Sequence, residues 1–250
     1  MQFDYLQMYF GDPLVIPTPD GKSITVTQPT IGDVIKIGED RFFGTLNVFI
    51  ANTTQFRLQL WDSGIDWNEI SDFELFVLLY VGIDQEVANL LFKDLVFSEF
   101  TIAQKQEEGK DKPDIVLMNK KTGLVINQEV YDTIHQYLQE MFKMKPENEF
   151  TKDKILKEWW VNKDRREAER RALKKSEKFT IQPLVSSMVN HPGFKYKLQE
   201  LREVGVCEFY DSVQRLQIYE SATAVMKGMF SGFVDSKNIK PDQYNWMKQF

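Results

Sequence analysis

Residues 206–230 read VCEFYDSVQRLQIYESATAVMKGMF, and the fold turns on how that stretch is read. It contains no proline, and Phe209, Val213, Leu216, Tyr219, Met226 and Phe230 recur at helical spacing on a slowly drifting apolar face. The spacing predicts one long helix. Downstream, MFSGFVDSKNIKPD (229–242) and NWMKQF (245–250) add more aromatic and methionine side chains. Helical surface of this kind has to be covered, either by the chain's own core or by another chain.

Working back from that helix, His191-Pro192-Gly193 marks a turn, and Pro183 suits the first turn of a shorter helix. A long basic helix is expected over about 151–178. Ile155, Leu156, Trp159 and Trp160 give its first turns an apolar patch, and later only Ala168, Ala172 and Leu173 are left to bury. Such a helix of strong formers can stand partly in solvent. KMKPENEF (143–150) reads as a linker, preceded by a helix over VYDTIHQYLQEMF (130–142).

Further back, strands are expected at 95–104 and 114–118, with a charged loop between them. NKKTG turns into a third strand, LVINQ, which makes a β-meander over about 95–128. SDFELFVLLYVG (71–82) and EVANLLF (86–92) are helices, while FRLQLW (56–61) fits a strand or a helical turn equally well. LVIPTPDGKSITVTQP (14–29) is a hairpin around Pro19-Asp20-Gly21. Thr30 then caps a helix, with Asp33 three residues on, and Gly38 breaks that helix in two. The expected fold is therefore α+β and predominantly helical, with an N-terminal β-hairpin, a small β-meander insertion and a helical C-terminal half. The expected division places the hairpin, helical body and insertion in 1–142, and the helical region in 151–250.

Composition bounds the function. Hydrophobic residues make up 42% and charged residues 27% of the 250, which places the chain among globular proteins rather than disordered ones. No apolar run approaches the roughly 18 residues of a membrane span. The start, MQFDYLQMYFGD, lacks the basic and apolar regions of a secretory signal. Cys207 is the sole cysteine, which excludes an internal disulfide and suits a reducing compartment. Residues 1–150 carry 24 acidic and 12 basic side chains, net −12, whereas residues 151–178 carry 6 and 11, net +5. That asymmetry predicts contact between the body and the basic helix, or a charged partner.

Chemistry is sparse. His135 and His191 have no ligand at metal spacing, and Cys207 sits beside Val206 and Phe209 like a small buried hydrophobe. DGKS (20–23) has the Lys-Ser pair of a phosphate loop without its upstream glycine. Asp62, Asp66, Glu69, Asp72 and Glu74 miss the spacing of a calcium loop, and read as helix-start and loop acids. No catalytic, cofactor or metal site is expected. Arg165, Arg166, Arg170, Arg171, Lys174 and Lys175 form a possible charged contact. The interleaved Glu158, Asp164, Glu167, Glu169 and Glu177 make that surface more suited to protein than to nucleic acid.

Two blocks carry a resemblance. DGKSITVTQPTIGDVIKIGEDRFF (20–43), together with LVSSMVNHPGFKYKLQELREVGVCEFYDSVQRLQIYESATAVMKGMFSGFVDSKNIK (184–240) and NWMKQF, resembles tail-region proteins of bacteriophages of Gram-positive hosts. The resemblance is to tail-assembly chaperones above all, and also to baseplate or hub assembly proteins. It covers about half the chain. It implies a non-enzymatic role in tail morphogenesis: a chaperone binding the tape-measure protein or, alternatively, a permanent baseplate or tail component. A nucleic-acid-associated factor using the basic helix is the third reading. The implied partners are other tail proteins or a second copy of the chain, with no membrane, and the implied place is the host cytoplasm during assembly or the virion tail. Phe209, Tyr210, Met226, Phe230, Trp246 and Phe250 are the expected partner contacts.

Overall fold

A computed structural model describes residues 3–105, 114–173, 180–233, 237 and 239–248. The chain opens with α1 (Tyr5–Tyr9), capped by the Asp4 carboxylate, which accepts from Leu6 N at 2.9 Å. Strands β1 (Leu14–Pro17) and β2 (Ser23–Val26) pair antiparallel with Ile16 opposite Ile24, and Gly21 takes φ +78° in the turn. Thr30 and Asp33 form a complete capping box at the start of α2 (Ile31–Ile37). Gly38, at φ +99°, separates it from α3 (Glu39–Ile50). The undecided segment is helical, as α4 (Arg57–Asp62). A second capping box, Ser71 with Glu74, opens α5 (Asp72–Leu79), and Asp84 caps α6 (Gln85–Leu91).

The meander follows as β3 (Phe100–Lys105), β4 (Asp114–Asn119) and β5 (Val125–Ile126), antiparallel in that order. Its first strand starts later than expected. Phe97–Glu99 is a 3₁₀ turn, because the Phe97 ring is drawn into the core beside Phe49 (5.4 Å) and the Gln85 side chain accepts from Phe97 N (3.0 Å). Asn127 caps α7 (Gln128–Phe142), which ends at Lys143 in the left-handed region (φ 52°). Then come α8 (Lys154–Leu173), α9 (Gln182–Asn190) with Pro183 in its first turn, and α10 (Val206–Phe230). The expected end of the basic helix, at about 178, lies outside the described residues. Among them are ten α-helices and two small antiparallel sheets, an α+β fold dominated by helix.

The core is built on α3 and α7. Phe49 meets Phe76, Phe92 and Phe97 with ring centroids 5.1–5.4 Å apart, and Tyr131 stacks on Phe76 at 4.9 Å. Each such pair contributes about 0.5–1.5 kcal/mol beyond area burial. His135 is buried here, with Nδ1 2.8 Å from the Phe49 carbonyl, which accounts for it structurally. The core does not end at residue 142. Met188, Leu201, Val204, Val206, Cys207, Phe209 and Val213 join the same cluster, so the two expected regions share one interior.

Helix α8 is attached separately. A small second cluster of Leu60, Trp67, Leu75 and Val161 joins it to α4 and α5. Arg57, buried, reaches Asp164 on α8 through both Nε and Nη2 (Nη2 at 2.8 Å), binds Glu149 through Nη1, and lies 5.4 Å from the Trp160 ring centre. Burial opposes the Arg57 charge, but the hydrogen bonds to Asp164 and Glu149 outweigh it and raise its pKa. Lys157 pairs with Asp66 and Arg165 with Asp62, so the acidic stretch and the basic helix do meet.

Two expectations change as a result. The 143–150 segment is bonded to the body, with Asn52 Nδ2 donating to Glu147 O at 2.8 Å, rather than acting as a free linker. The expected apolar patch on α8 is split: Trp160 packs inward with Val161, while Ile155 (79%) and Trp159 (53%) are exposed. No helix among the described residues is long and apolar enough to cross a membrane.

Candidate interaction surface in the C-terminal region

Helix α10 has two unlike halves, and its contacts show why. Its start is locked to the N-terminal body by a short antiparallel bridge. Ile31 N donates to Val204 O (2.9 Å), Val206 N to Pro29 O (3.0 Å), and Cys207 N to Gln28 Oε1 (3.0 Å). Gln28 in turn donates to the Met8 carbonyl at 2.7 Å, so one side chain ties α1 to α10. A Cβ on Gly205 would sit 2.1 Å from Gln28 Oε1, and one on Gly32 would sit 2.6 Å from Arg202 O. At Gly32 the obstacle is backbone and leaves no room for a side chain, whereas at Gly205 the Gln28 amide would have to shift and give up its bond to Cys207 N.

One turn on, the Tyr5 hydroxyl donates to the buried Asp211 carboxylate. Burial and then that bond push the Tyr5 phenol above its ordinary range. Burial pushes the Cys207 thiol up to about 11, the state of a packed hydrophobe rather than a nucleophile.

Beyond Leu216 the helix leaves this anchorage. Its distal half is braced by the chain's own tail, where Trp246 meets Tyr219 edge-on at 5.8 Å, and by the His191 turn, whose Nε2 lies 3.6 Å from Glu220 Oε1, and Ala222 is buried within it. Arg215 Nη1 donates to the carbonyls of Trp246 (3.0 Å) and Lys248 (2.9 Å), and a 3₁₀ turn at Pro241–Gln243 brings the tail round. At the tip, Phe230 is 89% exposed and Phe233 is 91% exposed.

The residues expected to meet a partner fall into three groups. Phe209 is fully buried, 6.4 Å from Phe194, and belongs to the core instead. Tyr210 is half-buried against Phe142. Met226 is half-buried, whereas Phe230 and Trp246 are exposed, and Tyr219, Met226 and Phe230 share one helix face. Phe250 lies outside the described residues. Phe233 and Met247, also exposed, were not among the expected contacts. Their signal in the sequence was an apolar residue beside Gly232 and another beside Trp246, just where no helical period remains to bury them.

The charged set divides too. Arg165 is engaged by Asp62 and Arg171 lies 3.8 Å from Glu167, while Arg166 and Arg170 are on the exposed side. Lys174 and Lys175 lie outside the described residues.

Residues 174–250 match the model of the YomV second domain. This is a phage-associated family, and the match points to a phage protein. It begins at the residue after Leu173, the last described residue of α8, and takes in α9, α10 and the tail. The YomV-like region thus contains both the anchored and the projecting halves of α10. It makes up less than a third of the chain. No curated protein and no solved structure matches the chain.

Elsewhere, a cleft of about 1300 Å³ runs between the hairpin, β4, and the starts of α5 and α7. Several of its polar groups are engaged in capping: Ser71 and Glu74 bond each other's backbone, and Asn127 accepts from Val130 N. Among the described residues no group of three or more His, Cys, Asp or Glu is arranged to hold a metal ion.

Proposed function

We propose that the protein is a non-enzymatic tail morphogenesis factor of a phage, acting as a tail-assembly chaperone that holds the tape-measure protein through the distal half of α10. The observation that carries this is the division of α10 within the phage-associated region. One half is fastened into the core, and the other half projects with Phe230 and Phe233 uncovered at its tip. A chaperone for a long helical client needs an apolar surface on a rigid base, with reversible affinity. Met226 and Met229 beside those rings supply side chains that adapt to many client helices.

Quantitative mass spectrometry of purified virions against infected-cell lysate tests the reading. The expected result is abundance in the lysate and absence from particles. Stoichiometric presence in virions would replace the chaperone with a permanent baseplate or tail component. Co-expression with the tape-measure protein provides the residue-level check. Phe230→Ser with Phe233→Ser should leave the melting temperature within about 2 °C, as for exposed positions. The same change should lower the amount of soluble tape-measure protein recovered.

A further inference from the structure

One face of α8 has no role in the contacts described above. The helix is turned by Arg57, Lys157, Trp160 and Val161 so that its inner side meets α4 and Trp67. The opposite side presents Ile155, Trp159, Lys163, Arg166, Arg170 and Leu173, each three or four residues from the next and all exposed. A helix of 20 residues is about 30 Å long, so this face is continuous over more than five turns. Glu158, Glu167 and Glu169 flank it, with Glu167 four residues from Lys163 and three from Arg170 and Glu169 three from Arg166, while Asp164 faces the body to bind Arg57. The packing of α8 turns Asp164 inward and leaves Ile155, Trp159, Lys163, Arg166 and Arg170 in one row on the outer side. Lys163 Nζ lies 6.0 Å from the Trp159 ring centre, and Arg166 Nε bonds the Asn162 carbonyl at 3.1 Å, so both cations are steadied by the helix itself.

We propose that this face docks an acidic amphipathic helix of a partner protein. Apolar residues of the partner would meet Ile155 and Trp159 near the start of α8. Its carboxylates would meet Lys163, Arg166 and Arg170 further along. Complementarity of charge and apolar character along one helix length defines the occupant. A polyanion would find cations along only the later part of the face, because Ile155 and Trp159 occupy its start. The separation of the apolar end from the cationic end also suits a helix with distinct ends rather than a uniform phosphate chain. The proposal stands independently of the tail-assembly reading, which rests on α10.

The test uses the full-length chain and a labelled synthetic helix of about 20 residues, long enough to span α8. Its facing side carries Leu in the first two turns and Glu in the last three, and a scrambled peptide of the same composition is the control. Fluorescence anisotropy at about 150 mM salt, where exposed charges are screened, should show the patterned peptide binding at least tenfold more tightly, roughly, than the scrambled one. Ile155→Ala with Trp159→Ala should abolish the difference, as should Arg166→Glu with Arg170→Glu. In the charge-reversed variant, a peptide with Lys in place of Glu should restore binding. All four side chains are exposed, so circular dichroism melts should be unchanged. Equal binding of the two peptides would overturn the proposal. So would preferential binding of duplex DNA or of phosphatidylserine vesicles over the patterned peptide. Self-association in sedimentation that both variants remove would show that the face meets a second copy instead.

Discussion

Arg57 is the residue on which the placement of α8 depends. Its guanidinium is buried and holds Asp164 and Glu149 at once, and those two acids are only partly covered. Removing the cation would leave the acids facing each other without a partner. Arg57→Met should therefore cost about 2–4 kcal/mol in urea unfolding, toward the lower end of buried-pair losses because water can reach both carboxylates. Arg57→Lys should fall between, since an ammonium cannot reproduce the two-pronged contact with Asp164.

Cys207 gives a residue-scale prediction of the opposite kind. Burial raises its thiol from 9.0 to about 11, and the hydrogen bond to Glu208, aided by burial, raises the Tyr196 phenol to about 12. In the intervening range the folded chain keeps protons that the unfolded chain releases. Stability is therefore fully present below pH 9 and declines as pH rises toward 11. Urea midpoints taken at about pH 8 and about pH 10.5 should show this fall, and Cys207→Ala should lessen it. At the lower pH the native thiol should stay unreactive toward a disulfide reagent until urea is added.

Helices begin in this chain where short-range chemistry tells them to. Thr30 with Asp33, and Ser71 with Glu74, satisfy the first backbone donors of α2 and α5 from within four residues. Thr30→Ala and Ser71→Ala should each cost about 1 kcal/mol in urea unfolding without changing the far-ultraviolet spectrum. The same locality made these starts readable in advance, together with the break at Gly38 and the turn at Gly21. The segment 56–61 was not readable, because six residues of mixed character fit either period. Its helical state depends on Leu60 joining the cluster of Trp67 and Val161. The strand expected from residue 95 failed for a related reason. Phe97 is as much a core residue as a strand residue, and the aromatic cluster claims it.

At the scale of the molecule, the region that matches the phage-associated family is not packed as a separate body. Met188, Leu201, Val204, Val206, Cys207, Phe209 and Val213 complete a core whose larger part comes from α3 and α7. Residues 180–250 expressed alone should therefore show no cooperative thermal transition, since these side chains would lose their cover. A sharp melt for that fragment would show that its own helices suffice.

What the sequence determined by itself was most of the list of elements, though not α1 and not the helical state of α4. Caps, glycine turns, prolines and hydrophobic spacing act over a few residues, and they specified the hairpin, the meander and the long terminal helix. It also determined that body and basic helix carry opposite charge. Tertiary structure alone decided which side of α8 turns inward and which half of α10 is anchored. Those choices rest on Arg57 with Asp164, Tyr5 with Asp211 and Gln28 with Cys207, partners separated by more than a hundred residues. Local spacing carries no information about such pairs. Each exists only once the chain has folded and brought its two members together.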